Sequence, residues 1–182
     1  MMKPGILVSL LLSLSLLAGC APTQKGPSYA DARNNPFIPA NHQAAEALLG
    51  QLNGKLGGSN MLIATLVNID ALERSSTLGR LVSEQVSARF TQADYHMVEM
   101  KFANSVYVLQ NQGEMMLTRE VQELASQHSA QAVIVGTYGD SKDFVFVNLK
   151  VVQPGTNVVL AVHDYALPLD DNTRAMLRNR RY

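Results

Sequence analysis

Residues 132–167 read AVIVGTYGDSKDFVFVNLKVVQPGTNVVLAVHDYAL, and three β-rich runs within them, 132–138, 144–152 and 158–167, decide the fold class. Short turns join the runs, so consecutive strands pair antiparallel. The second run places Val145, Val147, Leu149 and Val151 in alternation with Asn148 and Lys150, the period-two pattern of a strand with one well-buried face. Between the second and third runs, Gln153-Pro154-Gly155-Thr156 puts Pro and Gly at the central positions of a type II turn. Pro presets φ there and Gly accepts a positive φ.

Upstream the periodicity changes. Asn41 is a candidate N-cap for a helix whose Ala44, Ala45, Leu48, Leu52 and Leu56 recur at helical spacing until Gly57-Gly58 stop it. The apolar run 61–67 reads as one buried strand. Ser75-Ser76-Thr77 offers caps to a second helix, with Leu78, Leu81, Val82, Val86 and Phe90 on one face. Residues 95–100 read as a strand, and 106–109 and 115–117 flank Asn111-Gln112-Gly113 as a hairpin with a glycine turn. Thr118 caps a short helix. A closing helix starts near Asp171 and ends in Arg178-Asn179-Arg180-Arg181. The pattern predicts a single α/β domain over residues 41–182, its mixed sheet parallel early, antiparallel in the C-terminal strands, and packed by helices.

The N-terminus reads differently. Lys3 precedes an apolar stretch from Ile6 to Ala18, interrupted only by serines and too short to span a bilayer, which closes on Leu17-Ala18-Gly19-Cys20. Small residues before a cysteine form the pattern of a bacterial lipobox: residues 1–19 as signal peptide, cleavage between Gly19 and Cys20, and acylation of the Cys20 thiol. At about 0.8 kcal/mol per buried methylene, diacylglycerol on sulfur and a third chain on nitrogen hold a protein to a membrane practically for good. Ala21-Pro22 follows, without the aspartate that retains enteric lipoproteins at the inner membrane, so the expected location is the periplasmic face of the outer membrane. Residues 20–40 carry Pro22, Pro27, Pro36 and Pro39 and read as a tether with no regular element, reaching up to ~60 Å at about 3.1 Å per residue.

Removal of 1–19 leaves 163 of 182 residues, enough for one core. Lys3 is the one charge lost, so the 15 Lys and Arg fall to 14 against 15 Asp and Glu, which argues against a nucleic-acid partner. With the single cysteine taken by lipid, no thiol is left for a disulfide, a zinc site or catalysis.

Three segments, Ile69-Asp70 with Arg74-Ser75-Ser76-Thr77-Leu78-Gly79-Arg80-Leu81-Val82-Ser83-Glu84-Gln85, Gly113-Glu114-Met115-Met116-Leu117-Thr118-Arg119, and Ala132-Val133-Ile134-Val135-Gly136-Thr137-Tyr138, resemble the FlgO family of flagellar outer-membrane lipoproteins. The resemblance runs from about residue 43 to 170. It implies a role in motility and in the stability or assembly of the flagellum where it crosses the outer membrane, with other basal-body or ring proteins as partners. It also implies a fold related to small α/β domains of secretion-linked envelope proteins. It brings no catalytic residues and no cofactor.

The residues agree with a structural reading. Ser75 and Thr77 suit capping, since no Gly-rich loop with Lys accompanies them as a phosphate cradle requires. Gly79 in a first helical turn suits close packing on the sheet. Arg80 and Glu84, one turn apart, are placed to pair on the exposed face. Gly136 within a strand marks a bulge or a neighbouring backbone at close range. His42, His96, His128 and His163 lack metal-ligand spacing, and His163 and Asp164, adjacent on a strand, point to opposite faces. Asp140 and Asp143 bracket a turn, with Asp164 the third carboxylate of that region. Ser83, Ser87 and Ser126 lack a nucleophile elbow. The sequence thus predicts no enzyme, no catalytic, metal or cofactor site, and function by position and protein contact. Alternative roles are a secretion accessory or a binder of peptidoglycan or lipopolysaccharide through Arg174, Arg178, Arg180 and Arg181, though cations there also suit a helix C-terminus. The expected partner contacts are the edge near 158–167 or the Met115-Met116 hairpin, with a homo-oligomer as a further possibility.

Overall fold

The computed structural model describes residues 26–99 and 119–178. The chain divides into two compact units, Met1–Asn34 and Asn35–Tyr182. In the first, helix α1 (Tyr29–Asn34) forms where no regular element was expected. Its cause is local: the Ser28 hydroxyl accepts from the Asp31 N–H at 3.3 Å while the Asp31 carboxylate accepts from the Ser28 N–H at 2.7 Å, a reciprocal capping pair. The Ser28 N–H, and the Ser28 hydroxyl that also donates to the Asp31 carboxylate at 2.7 Å, hold that carboxyl below its ordinary range.

The second unit is a single α/β domain. Helix α2 spans Phe37–Leu52, so it starts four residues before the expected cap at Asn41. Pro36 is the N-cap and Pro39 falls within the first turn, where backbone N–H groups have no intrahelical partner and the missing donor of proline costs nothing. Asn41 is instead fully buried, with Phe37, Ala44, Ala45, Leu48 and Leu52. The helix stops at Asn53, which adopts the left-handed conformation at φ 46°, ahead of Gly57-Gly58.

Strand β1 (Asn60–Ile63) and strand β2 (Val67–Asn68) replace the one strand expected over 61–67. The break at 64–66 has a specific anchor in helix α3 (Thr77–Gln92). Ser83 Oγ accepts from the Leu66 N–H at 3.0 Å and lies 3.2 Å from the Ala64 carbonyl, while Ser75 Oγ donates to the Leu66 carbonyl at 2.6 Å. A β-carbon on Gly79 would collide with that same Leu66 carbonyl, with Ser75 Oγ at 2.7 Å and with the Tyr138 ring at 2.9 Å. Glycine in the first turn of α3 is therefore what lets the helix reach the broken strand. The N-cap of α3 is Ser76, whose hydroxyl accepts from the Gly79 N–H at 3.3 Å, in place of Ser75 or Thr77. Leu78, Val82, Val86 and Phe90 are buried as expected, whereas Leu81 lies outward at 37% exposure.

Strand β3 (His96–Glu99) follows, preceded by Tyr95, whose ring meets Phe90 edge-on at 5.5 Å. The hairpin expected over 106–117 and the Thr118 cap lie outside the described residues. Helix α4 (Arg119–Gln127), strands β4 (Ala132–Asp140), β5 (Phe144–Val152) and β6 (Val159–Pro168), and helix α5 (Asp171–Leu177, capped by Asp170) complete the domain. The sheet order is β3-β1-β4-β5-β6, with β2 also paired to β4. The pairs β1–β3, β1–β4 and β2–β4 are parallel, while β4–β5 and β5–β6 are antiparallel. A turn stands at 153–156 as expected, with Gly155 at φ +80°, and the loop closes one residue later, where the Asn157 N–H donates to the Gln153 carbonyl at 3.0 Å.

One face of the sheet supplies Met61, Ile63, Ile134, Val145, Val147, Leu149, Val151 and Leu167 to a core shared with residues of α2 and α3. On the other face Leu62, Val67, Val133, Val135 and Val152 meet Val121 and Ala125 of α4. Gly136 is pinned between these layers: a β-carbon there would meet the Asn148 carbonyl at 2.6 Å and Leu66 at 2.9 Å. Of the two readings of Gly136, close backbone approach is the one realised, since the register shift of the sheet lies at Val151/Val152. No helix among the described residues is long and apolar enough to cross a membrane.

Candidate functional site

The second face is only half covered among the described residues. Side chains alternate along β5, so with Val145 to Val151 facing α2 and α3, Phe144, Phe146, Asn148 and Lys150 face the other way. Their cross-strand partners on β6 are Pro168, Ala166, Asp164 and Val162, and Phe146 lies opposite Gly139 of β4. Helix α4 packs over Val133 and Val135, at the N-terminal end of β4, which leaves the opposite end of the face open. Phe146 is 57% exposed, Ile69 55% and Phe144 46%, with the rings of Phe144 and Phe146 6.4 Å apart. Large apolar side chains grouped on one exposed surface mark an interaction site more often than scattered ones do.

A groove of about 590 Å³ runs across this surface. Thr137, Gly139 and Ala166 give it a floor of small residues, and Ile69 and Phe146 give it apolar walls. Its charged residues are Asp70, Asp140 and Asp164, and neither Lys nor Arg lines it among the described residues. Asn148 Nδ2 donates to the Asp164 carboxylate, so one cross-strand pair fixes that acid on the rim.

The edge next to the groove is β6. Its register rests on a buried polar chain through three elements: the Tyr165 hydroxyl donates to Asn41 Oδ1, and Asn41 Nδ2 donates to Gln85 Oε1 at 2.7 Å. Burial pushes the Tyr165 phenol far above its ordinary range, which keeps it a donor. Gln51 reaches the same strand from α2: its Nε2 donates to the Val162 carbonyl at 2.9 Å and its Oε1 accepts from the Val162 N–H at 3.2 Å. A side-chain amide thereby occupies the place of a neighbouring strand at that position.

The residues singled out from sequence are distributed as follows. Cys20 and Gly19 lie outside the described residues, as do Met115, Met116, Arg180 and Arg181. Asp140 and Asp164 come together on the groove with Asp70, while Asp143 stays in the β4–β5 turn, where its carbonyl accepts from the Leu169 N–H at 2.9 Å. His163 stacks on Tyr165 at 6.1 Å, on the face opposite to Asp164. Arg80 does not pair with Glu84: its guanidinium donates to Thr77 Oγ1 at 3.2 Å, and the ion pair of this region joins Arg89 to Glu46. Ser83 and Ser87 are buried in α3. Arg174 donates to the Lys142 carbonyl at 3.2 Å, and Arg178 is the C-cap of α5. No cluster of three or more potential metal ligands occurs among the described residues. The segment 158–167, expected as an edge, forms β6 at the end of the sheet order, while Ile69 was quoted only for the family resemblance and Phe146 and Gln51 had not been singled out. Phe144 and Phe146 carried a usable signal, since apolar residues at the outward positions of a one-face-buried strand imply a second covered face.

The family model described as FlgO protein matches residues 42–172. Among solved structures, the LpoB C-terminal domain from Escherichia coli is similar at TM-score 0.51 and 14% identity, over 72% of this chain and 97% of that one. That likeness is one of fold. Lipoprotein GNA1162 from Neisseria meningitidis aligns with TM-score 0.38 and 11% identity over 63% of this chain and 83% of its own. The PelC dodecamer from Paraburkholderia phytofirmans aligns with TM-score 0.36 and 11% identity, over 66% and 80%. No curated protein matches the sequence significantly.

Proposed function

The chain belongs to the FlgO family, and on that premise we propose that it is an outer-membrane lipoprotein that serves the flagellum as a non-catalytic assembly and stability factor. The family match over 42–172 carries the reading, since it spans nearly the whole folded domain. In this reading Cys20 bears the lipid, the residues between it and the domain set the reach from the periplasmic face of the outer membrane, and the domain presents a protein-binding surface. Partners are other basal-body or ring proteins and further copies of the chain, and neither cofactor nor nucleic acid is involved. Many anchored copies around one ring turn a weak contact into a firm one, because each additional contact becomes intramolecular.

The test is swimming in soft agar, with flagella counted by electron microscopy, in a deletion strain complemented with wild type or Cys20→Ser. The expected result is motility restored by the lipidated form alone, with Cys20→Ser folded but detached from membranes. Full motility with the unanchored protein contradicts the anchored role. Normal swimming after deletion removes the flagellar assignment and favours an envelope-binding or secretion-accessory role.

A further inference from the structure

The geometry points to β6 as a docking strand for an extended segment of another protein, one that places a cationic side chain opposite Asp164 and a large apolar side chain, two residues away, opposite Ala166. The inference names the contact through which an assembly factor would act and takes its setting from that reading, but the contact itself is argued from the edge.

The backbone decides which positions are open. The Val162 N–H and C=O are held by Gln51 and so face away from β5. In an antiparallel ladder the outward-facing residues recur every second position, and the β5–β6 register is unbroken from Phe144↔Pro168 to Val151↔Ala161. Asp164 and Ala166 therefore turn their N–H and C=O groups outward as well. The window is bounded at one end by the Gln51 amide and at the other by Pro168, which has no N–H to offer. Two donors and two acceptors remain between these stops, which is the hydrogen-bonding capacity that strand addition uses.

The side chains decide what fits. Asp164 and Ala166 both stand on the open face and both line the groove. Above Ala166 the floor is small, and Phe146 and Ile69 wall a space that an aliphatic or aromatic side chain would fill. Beside it every charged lining residue among those described is an aspartate, so a partner's Lys or Arg is favoured and its Glu or Asp repelled. A second copy offering its own β6 brings a second Asp164 and a second set of rim acids to the same seam, which disfavours self-pairing. The occupant is thus a chain of different sequence. Its motif is apolar-x-basic if it runs antiparallel to β6 and basic-x-apolar if parallel.

The experiment measures fluorescence anisotropy of labelled seven-residue peptides against the full lipidated chain in detergent. Both orders of Leu and Lys in a threonine background are compared with the same peptides carrying Glu for Lys. One Lys peptide is expected to bind about tenfold more tightly than its Glu counterpart. Ala166→Pro deletes an outward donor without touching a β5–β6 bond and is expected to abolish that binding. Asp164→Lys is expected to reverse the Lys-over-Glu preference, and because it leaves the backbone intact it holds the test open if Ala166→Pro misfolds. Equal affinity for Lys and Glu peptides, no binding by any peptide, or self-association that Ala166→Pro removes would each overturn the proposal. None of these readouts needs a flagellum, so they fail or succeed apart from the motility test.

Discussion

Gly79→Ala sets two effects of opposite sign against each other at one atom. By helix propensity alone the change stabilises, since alanine in a helix is favoured over glycine by about 1 kcal/mol. The added methyl, however, meets the Leu66 carbonyl, Ser75 Oγ at 2.7 Å and the Tyr138 ring at 2.9 Å, all closer than real β-carbon contacts allow. Two of the three cannot yield cheaply: one is backbone and the other is an aromatic ring that is 2% exposed. Overpacking of this kind costs about 1–3 kcal/mol. A shift of Leu66 away from α3 also strains its bonds to Ser75 and Ser83, at about 1 kcal/mol for each that is lost. The net expectation is destabilisation by about 2 kcal/mol. With a urea dependence of about 2 kcal/mol per molar, the unfolding midpoint followed by circular dichroism falls by about 1 M. Gly50→Ala is the control, because Gly50 lies on the exposed side of α2 with nothing within 4 Å of the added carbon. It should raise the midpoint by roughly 0.3–0.5 M through propensity alone. A midpoint for Gly79→Ala at or above that of the parent would show that the helix does not seat on Leu66 as described.

Asn41→Ala leaves the Tyr165 hydroxyl and the Gln85 carbonyl, both half-buried, without their shared and fully buried partner and should cost about 2 kcal/mol in urea unfolding; a loss under about 0.5 kcal/mol means that water replaces the amide. The Tyr165 phenol is pushed up from 10.0 by burial, so above pH 10 the unfolded chain releases a proton that the native state retains. Stability then falls with rising pH, by at most about 1.4 kcal/mol per unit from this group. Tyr165→Phe should flatten that decline, with the raised Tyr138 and Tyr95 leaving part of it, and an unchanged slope contradicts the assignment. Gln51→Ala uncovers the Val162 N–H and C=O, and light scattering should show more self-association than in the parent at equal concentration, whereas identical scattering means that the amide is no block.

The parts of this fold legible in the sequence were those whose cause is local. Alternation in β5 and the Pro154-Gly155 turn specify an antiparallel pair without help from elsewhere, and the spacing of Leu78, Val82, Val86 and Phe90 specifies a helix. Apart from α1, whose Ser28–Asp31 pair is local, what was misread has causes distant in the chain. The run 61–67 is apolar but for Thr65, and nothing in it marks the break at 64–66, which is held by hydrogen bonds from Ser83 of α3 and from Ser75 just before that helix. Asn41 has the composition of a cap, yet its partners are Gln85 and Tyr165, 44 and 124 residues away. The rim of the groove was half legible: of the three carboxylates grouped from sequence, Asp140 and Asp164 meet there and Asp143 does not, and Asp70 joins them only through the parallel pairing of β2 with β4. Gln51 had no signal at all, since its role depends on where α2 crosses the edge strand.

An exposed apolar sheet face beside a free edge is a hazard for any protein held at high local concentration, and a membrane anchor creates that condition. This domain does not remove the hazard by burying the edge. It narrows the edge, with an amide from α2 at Val162, a proline at 168 and a rim of aspartates, and each device restricts which chain can pair without preventing pairing. Two open strand positions and one groove make a contact well below the standard interface size of roughly 1,600 Å², and such contacts are weak when single. Weakness is compatible with an assembly role only if copies act together, which tethered chains on a common surface do through effective concentration. Under the function proposed above, the lipid and the narrowed edge depend on each other: without the anchor the contact is too small to hold, and without the narrowing anchored copies would pair indiscriminately.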